Sequence, residues 1–283
     1  MRNKNITIGS GRKSLYLRVL TGALGLSLAP SLAEGPIVGI LVVREHGVGS
    51  QTMAQPYLDR FAALAAELNG WGGANGRYFT SRDVATAFIE GEKPHYGILS
   101  LPAFLAMRSK YDLQVLGQVA VSLAGGRQYH LISKSATDVA GCKGRTLASN
   151  HADDPRFIER IVAGGSFTLD DFTVIRTQRP LQTTKKVLDG EAVCALIDDA
   201  QLAELPHLEG AGDVRSVWKS ARLPPMAVVA FPAAPADERK RFQENLSKVC
   251  ANEGKSACGE VGIVSLAAAG QADYAAVVTA YGK

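Results

Sequence analysis

The sequence lacks the short motifs that mark the common catalytic centres. It contains no Gly-x-Ser-x-Gly element, no Gly-x-x-x-x-Gly-Lys-Ser/Thr loop and no His-Glu-x-x-His pair. A serine-hydrolase elbow, a phosphate-binding P-loop and a zinc-peptidase helix are therefore excluded. We expect no enzyme, no cofactor and no metal. A metal-dependent hydrolase is a minor alternative, because side chains distant in sequence can converge; its candidate residues are Arg44, Glu45, His46, His151 and Asp198.

The chain also has little excess charge of either sign. It carries 31 basic and 27 acidic residues, and five of the basic but none of the acidic residues lie in 1–33. Residues 34–283 therefore have a net charge of −1. No basic stripe interleaved with aromatic residues is present there. These features exclude nucleic acid as an expected partner.

The apolar stretch 19–32 is shorter than the ~20 residues that span a bilayer. It follows a region rich in Lys and Arg and leads to Ser31-Leu32-Ala33, with small residues at the two positions that a signal peptidase inspects. These features predict that residues 1–33 are a cleavable secretory signal peptide. An uncleaved anchor or an amphipathic first helix is the alternative.

Cysteine is scarce, and the four cysteines form no Cys-x-x-Cys pair, which argues against a zinc ribbon and a dithiol redox site. An even number of cysteines in an exported chain predicts disulfides. Cys250 and Cys258 flank a turn-rich segment, so we pair them, and Cys142 then pairs with Cys194. Four reduced, buried cysteines are the alternative.

Strand and helix patterns alternate along residues 34–283. The apolar run 36–43 predicts a strand that is buried on both faces. A helix is predicted over 52–68, with an apolar stripe of Met53, Tyr57, Phe61, Leu64 and Leu68. Further strands are predicted at 78–79, 96–99, 113–121, 129–133, 145–148, 172–175, 192–197 and 226–231. Further helices are predicted at about 81–91, 104–107, 155–162, 183–188 and 242–249. This alternation predicts an α/β fold with mostly parallel sheets.

Four segments carry a resemblance to a known family. They are Asp83–Gly91 before a strand that ends Gly-Ile-Leu-Ser100, Gly141-Cys-Lys-Gly-Arg-Thr-Leu-Ala, Gly190-Glu-Ala-Val-Cys-Ala-Leu-Ile-Asp-Asp and Trp218-Lys-Ser-Ala-Arg-Leu-Pro-Pro. In this order they resemble the periplasmic solute-binding proteins of the phosphate, phosphite and phosphonate-binding kind, which belong to the two-lobed class II of the transferrin-like superfamily. The resemblance covers roughly residues 36–283.

The resemblance implies two α/β lobes that are joined by two crossover strands and close on a small ligand. We assign 34–125 and 223–283 to lobe one and 126–222 to lobe two, with crossings near 122–129 and 219–226. It also implies a monomeric periplasmic protein that passes a phosphonate-like or phosphate-like anion to the permease of an ABC-type transporter. A ligand sensor or adaptor for a membrane partner is the alternative.

Ligands of two-lobed α/β proteins bind where strands end and helices begin. The residues that follow the predicted strands, together with a tyrosine near one crossing, are therefore the candidate ligand-binding residues. They are Arg44, His46, Ser50, Ser100, Tyr129, Ser149, Asn150, His151, Asp198 and Asp199. Each has a structural alternative: loop or capping roles for the Ser, Asn and Asp residues, an exposed surface position for the histidines, and core packing for Tyr129. The aspartates, if they face the ligand, would favour an amine over an anion.

Overall fold

The computed structural model describes residues 35–45, 51–121, 125–260 and 262–283. The predicted signal peptide lies outside the described residues. The strands are β1 (Ile37–Val43), β2 (Gly73–Phe79), β3 (Tyr96–Leu99), β4 (Gln114–Val121), β5 (Tyr129–Ser133), β6 (Thr146–Ser149), β7 (Thr173–Arg176), β8 (Cys194–Asp198), β9 (Arg215–Lys219), β10 (Met226–Ala230) and β11 (Ile263–Ala268). The helices are α1 (Gln51–Asn69), α2 (Arg82–Glu92), α3 (Leu101–Met107), α4 (Val139–Cys142), α5 (Pro155–Phe157), α6 (Pro180–Leu188), α7 (Asp199–Glu204), α8 (Ala236–Val249), α9 (Gly254–Glu260) and α10 (Gln271–Gly282).

The strands form two sheets, which are the centres of two lobes. The first sheet has the order β11-β4-β10-β3-β1-β2, and the second has the order β7-β6-β8-β5-β9. Helices flank both sheets, so the predicted two-lobed α/β fold is confirmed. The sheets are mixed rather than mostly parallel. The return strand β10 runs antiparallel to both of its neighbours, β3 and β4, and β5 runs antiparallel to β8 and β9.

The predicted helix over 52–68 is present as α1, but a different face of it is buried. Met53 and Leu68 are exposed, whereas Leu58, Ala62 and Ala65 are buried against the first sheet together with Phe61. These residues recur at the i, i+3, i+4 and i+7 spacing of a helical face. The stripe was misplaced because small alanines form much of the contact, and they attract less attention than Met or Leu.

Two strands were not predicted from the sequence, and one was predicted too short. Strand β11 lies at the edge of the first sheet, and its pairing with β4 shifts register between Ile263 and Ser265. This irregularity disrupts the simple alternation that marks a half-buried strand. Strand β9 is the corresponding edge of the second sheet. Strand β2 includes Gly73 and Gly76, residues of low strand propensity, and is held in place by parallel pairing with β1.

Both predicted disulfides are confirmed. Cys142 is linked to Cys194, with 5.9 Å between the Cα atoms, and joins α4 to strand β8 in the second lobe. Cys250 is linked to Cys258, with 5.6 Å between the Cα atoms, and joins the end of α8 to α9 in the first lobe. No helix in the described part of the chain has both the length and the apolar character needed to cross a membrane.

Candidate functional site

A cavity of about 920 Å³ lies between the two lobes. Its walls include the ends of strands β1 and β3 in the first lobe and of strand β8 in the second, as expected for this fold. Five of the residues that were predicted to bind a ligand line this one cavity: Arg44, Ser100, Tyr129, His151 and Asp198. His46 and Ser50 lie outside the described residues.

On the side of lobe one, Arg44 and Ser100 lie next to each other. Parallel pairing sets Val43 opposite Leu99, and the Ser100 N–H donates to the Val43 carbonyl over 2.8 Å. The Ser100 hydroxyl is buried and has no hydrogen-bond partner. Within the described part of the chain, the Arg44 guanidinium also takes part in no hydrogen bond or ion pair. Two polar groups that have no hydrogen-bond partner among the described residues thus line the cavity from adjacent strand ends, and the charge of Arg44 also acts on Asp198. We call Arg44 and Ser100 the floor of the cavity.

On the side of lobe two, antiparallel pairing sets Tyr129 opposite Asp198. Tyr129 is buried and makes edge contacts with the rings of His151 and Phe157. Burial, together with nearby carboxylates such as Asp198, raises the pKa of Tyr129 well above its ordinary value, so the phenol stays neutral. Tyr129 therefore combines the predicted position in the cavity with the packing role that was its alternative.

Asp198 is the N-cap of α7, which was the structural alternative for this residue. Its Oδ1 accepts a hydrogen bond of 2.9 Å from the Gln201 N–H, and the Gln201 side chain accepts from the Asp198 N–H in return. Burial raises the pKa of Asp198, although bonds from the backbone of Gln201 and Gly126 and the charge of Arg44 act in the opposite direction. The carboxylate is therefore largely engaged by its own backbone before any ligand arrives.

At and behind the cavity surface, buried polar side chains of lobe two bond to one another, with His151 and Gln201 at the surface. We call His151, Asn150, Gln201 and Thr183 the wall network. Asn150 Oδ1 accepts from Thr183 Oγ1 at 2.9 Å and from Gln201 Nε2 at 3.2 Å. Gln201 Oε1 lies 3.0 Å from His151 Nε2. Burial lowers the pKa of His151 to about 4, so the imidazole is neutral at neutral pH.

Three predicted ligand-binding residues have structural roles at or behind this wall. The Ser149 hydroxyl donates to the Leu196 carbonyl at 3.1 Å and accepts from the His151 N–H at 3.0 Å. Asn150 is committed to the wall network. Asp199 Oδ1 accepts from the Arg127 N–H at 3.2 Å, next to a crossing. None of these three is among the described residues that line the cavity, and each bonds to neighbouring parts of the chain.

The segments that connect the lobes hydrogen bond to each other. Arg127 Nε donates to the Leu223 carbonyl, and the Leu223 N–H donates to the Arg127 carbonyl, both over 2.7 Å. Gln128 Nε2 also donates to the Ser220 carbonyl at 2.8 Å. Gly126, with φ of +73°, lies at the start of this pairing in the left-handed region that favours glycine. The crossings near 126–128 and 220–223 thus form a paired connection beside the cavity.

An ion-pair network joins the lobes at the edge of the cavity. Arg82 on α2 of lobe one donates from both Nε and Nη2 to the carboxylate of Glu45, and Nη2 also contacts Asp154 Oδ2 of lobe two at 2.9 Å. Burial acts to lower the pKa of Arg82, but the bonds to Glu45 and Asp154 outweigh it and raise the pKa. Asp154 also caps α5 by accepting from the Phe157 N–H. We call Arg82–Asp154 the lobe bridge.

Sequence reasoning missed several polar residues of the cavity: Arg127, Arg179, Gln201 and Glu204. The sequence contains a signal for two of these residues, Gln201 and Arg179. Asp198-x-x-Gln201 is a capping-box pattern, which places Gln201 in the first turn of a helix at a strand end. Pro180 is the first residue of α6, so the helix begins three residues earlier than predicted and brings Arg179 to the cavity.

The cavity has the chemistry of a binding site with balanced charge. Its lining carries the guanidinium groups of Arg44, Arg127 and Arg179 and the carboxylates of Glu45, Asp198 and Glu204. In the described part of the chain, no group of three or more His, Cys, Asp or Glu side chains is arranged to hold a metal ion. The arrangement can hold a solute by hydrogen bonds from the floor and from other polar lining residues, and by apolar contact with the Pro, Leu, Ala and Met side chains of the lining.

No protein-family model and no curated protein sequence matches the chain. Among solved structures, the chain is similar to a binding-protein component of an ABC phosphonate transporter from Pseudomonas aeruginosa, with 14% identity over 87% of this chain and 86% of that one and a TM-score of 0.63. It is similar to PhnD1 from Prochlorococcus marinus in complex with methylphosphonate, with 8% identity over 86% and 96% and a TM-score of 0.63. It is also similar to a Xanthomonas citri protein bound to ATP, with 10% identity over 88% and 96% and a TM-score of 0.67. The chain therefore has the two-lobed fold of periplasmic solute-binding proteins, in agreement with the resemblance noted in the sequence.

Proposed function

We propose that this protein is an exported, non-catalytic solute-binding protein that captures a small anion-bearing solute between its lobes for an ABC-type transporter. The observation that carries the proposal is the floor of the cavity. Arg44 supplies a guanidinium with no partner in the described part of the chain, and the adjacent Ser100 supplies a buried hydroxyl with no partner. Buried polar groups are rarely left unsatisfied, so a hydrogen-bonding ligand is the natural partner of the Ser100 hydroxyl, and the half-buried Arg44 beside it supplies a positive charge for the same ligand.

The strength of such a site comes from aimed donors rather than from long-range attraction. Residues 34–283 carry a net charge of −1, and the lining has as many carboxylates as guanidinium groups. Each charge-assisted hydrogen bond contributes about 1.5–3 kcal/mol net, so two bonds from Arg44 and one from Ser100 contribute about 4.5–9 kcal/mol, whose upper end corresponds to micromolar affinity. The balanced lining favours an anion with a single charge over a dianion.

Asp198 does not prevent anion binding in this account. Its carboxylate accepts the backbone N–H of Gln201 at 2.9 Å, and backbone bonds from Gly126 and Ala200 also contribute to its environment. Those donors offset its negative charge locally. The amine-binding alternative would instead require Asp198 to reach the solute and Arg44 to remain unused.

Export and delivery complete the proposal. Two disulfides suit an oxidising compartment, and the pattern of residues 1–33 directs the chain there. Structural neighbours include a component of an ABC phosphonate transporter, which supports a permease as the membrane partner. We assign residues 34–125 and 223–283 to lobe one and 126–222 to lobe two, and we propose that a monomer closes by rotation about the crossings.

Calorimetry with the exported protein tests the proposal. The probes are inorganic phosphate, phosphite, methylphosphonate, butanesulfonate and, as a cation, butylamine. Arg44→Ala should weaken the binding of anions by at least about 100-fold, because it removes two charge-assisted bonds. The matched control is Arg77→Ala, at an exposed arginine on β2 of the same lobe, and it should leave Kd unchanged. Binding of butylamine alone, lost in Asp198→Ala and kept in Arg44→Ala, would contradict the proposal.

Delivery to a transporter is separable from binding. In cells that express the protein, its deletion should abolish uptake of the solute identified by calorimetry, and the wild-type chain should restore that uptake while Arg44→Ala does not. Unchanged uptake combined with a lost transcriptional or signalling response to the solute would instead support a sensor.

A further inference from the structure

The cavity is much larger than a simple oxyanion requires. Its volume of about 920 Å³ lies near the upper end of the roughly 300–1,000 Å³ range of pockets that enclose drug-sized ligands. The floor formed by Arg44 and Ser100 occupies one part of this space, where two strand ends meet. A bound phosphate or methylphosphonate would therefore leave most of the cavity unfilled.

The space beyond the floor is bordered largely by apolar side chains. Pro180 and Leu181 begin α6, Leu208 follows α7, and Pro102 and Met226 contribute from lobe one. Leu181 lines the cavity and is 55% exposed, so part of its side chain is available to a ligand. Apolar surface of this kind gains free energy when a ligand removes it from water.

The apolar surface and the floor belong to the same cavity. The Pro180 carbonyl accepts from Gln201 Nε2 at 3.1 Å, so the first turn of α6 is fixed directly to the wall network. Gln201 in turn donates its backbone N–H to the N-cap Asp198. The positive charge of Arg44 acts on the carboxylate of the same Asp198. Arg44 and Leu181 both line this cavity, so a single solute can contact both of them.

We propose that the solute is amphipathic, with one negatively charged head at Arg44 and Ser100 and an aliphatic body against Leu181, Leu208 and Pro180. This inference rests on the proposed function and specifies its ligand class. A dianionic head is disfavoured by the balanced charge of the lining.

The first test is a chain-length series measured by calorimetry on the exported full-length protein. The probes are methanesulfonate, butanesulfonate and octanesulfonate, which share a singly charged head. The affinity should rise about two- to fourfold per added methylene until the cavity is filled, as expected for apolar groups removed from water. Neutral 1-octanol, which has the body without the charged head, should bind at least 30-fold more weakly than octanesulfonate.

Two variants locate the body of the solute. Leu181→Ser should reduce the gain from methanesulfonate to octanesulfonate at least fivefold while leaving the Kd of methanesulfonate unchanged. Val264→Ser is the matched control, since Val264 is also 55% exposed but lies on edge strand β11 and does not line the cavity. Leu181→Trp, which fills the space, should weaken octanesulfonate selectively.

The outcomes separate this inference from the proposed function. Equal affinity for all three sulfonates, with binding lost in Arg44→Ala, would overturn the amphipathic solute and retain anion capture. Octanol binding as tightly as octanesulfonate would overturn the charged head. No binding of any sulfonate, together with none of phosphate, phosphite or methylphosphonate, would overturn both. A length-dependent gain that Leu181→Ser reduces and Val264→Ser preserves is the result that supports the inference.

Discussion

The two sides of the cavity use the same kinds of residues in opposite ways. On lobe one, Ser100 follows strand β3 and its buried hydroxyl has no partner. On lobe two, Ser149 ends strand β6, is more deeply buried (1% exposed against 9% for Ser100), and uses its hydroxyl both to donate and to accept. Both serines stand at the carboxyl end of a strand and have the same sequence signature. The difference lies in the neighbours, which satisfy one hydroxyl and leave the other for a solute.

This difference separates binding from stability. The floor holds unused polar groups, so changing it should alter affinity and leave the free energy of unfolding nearly constant. The wall network holds satisfied polar groups, and the nearby Cys142–Cys194 disulfide ties strand β8 to α4. Changing the wall should therefore alter stability first. The following experiments test this division, beginning with the largest expected effect.

The disulfides should contribute unequally to the two lobes. On the chain-entropy model, Cys142–Cys194, with a separation of 52 residues, stabilises by about 4 kcal/mol, and Cys250–Cys258, with a separation of 8, by about 2.5 kcal/mol. Double Cys→Ala variants of each pair should show this order in urea unfolding. An equal loss of unfolding free energy for the two pairs, or a larger loss for Cys250–Cys258, would contradict the idea that the Cys142–Cys194 disulfide makes the wall of lobe two rigid.

The neutral His151 should make stability depend on pH. Its pKa is about 4 in the folded protein against an ordinary 6.5, so the unfolded chain binds a proton between these values that the folded chain does not. The stability that depends on the neutral His151 should therefore be fully present above pH 6.5. The free energy of unfolding should fall by about 3 kcal/mol as the pH drops to 4. Urea unfolding across this range should show a shallower dependence in His151→Gln. His207→Gln, at an exposed histidine of the same lobe, should leave the dependence unchanged.

Asn150→Ala should weaken the wall without changing the binding preference. The change removes one of the acceptors of Thr183 and of Gln201, and the loss of these buried hydrogen bonds costs about 2 kcal/mol. The measurements are urea unfolding and the Kd for butanesulfonate, with the exposed Asn75→Ala as control. A large loss of affinity with no loss of stability would place Asn150 at the solute instead of behind the wall.

The lobe bridge should have the smallest effect. Asp154→Asn keeps a residue that caps α5 well but removes the charge that Arg82 contacts across the lobes at 2.9 Å. Partly exposed ion pairs contribute about 1 kcal/mol or less, so Kd should rise up to about fivefold and small-angle scattering should show a larger radius of the bound state. Glu90→Gln, which breaks an exposed ion pair with Lys110 within lobe one, should change neither quantity.

The sequence predicts which residues lie in strands, in disulfides and at the cavity better than it predicts the hydrogen-bond partner of each polar side chain. Strand β1 is a continuous apolar run and follows directly from its pattern, and the cysteine spacing was enough to pair Cys250 with Cys258. The ends of the strands then brought Arg44, Ser100, Tyr129, His151 and Asp198 to one cavity. Each of these inferences depends on local pattern or on general topology.

The remaining features depend on contacts between distant segments. Ser149 and Asn150 were predicted to bind ligand, but their partners Leu196 and Thr183 lie 47 and 33 residues away. Leu181 is exposed and lies at the cavity because α6 packs on α7. The sequence pattern of α6 alone does not predict this packing. Strand β11 was missed because its register shift obscures the alternation of an edge strand.

The matched pair Ser100→Ala and Ser149→Ala tests the central claim most directly, because the two serines differ mainly in whether the folded chain already uses their hydroxyls. Calorimetry with butanesulfonate and urea unfolding should be measured on both variants. Ser100→Ala should raise Kd about tenfold with unchanged stability, and Ser149→Ala should lose about 1–3 kcal/mol of stability with Kd within twofold of wild type. The reverse assignment, with affinity lost in Ser149→Ala and kept in Ser100→Ala, would contradict the account.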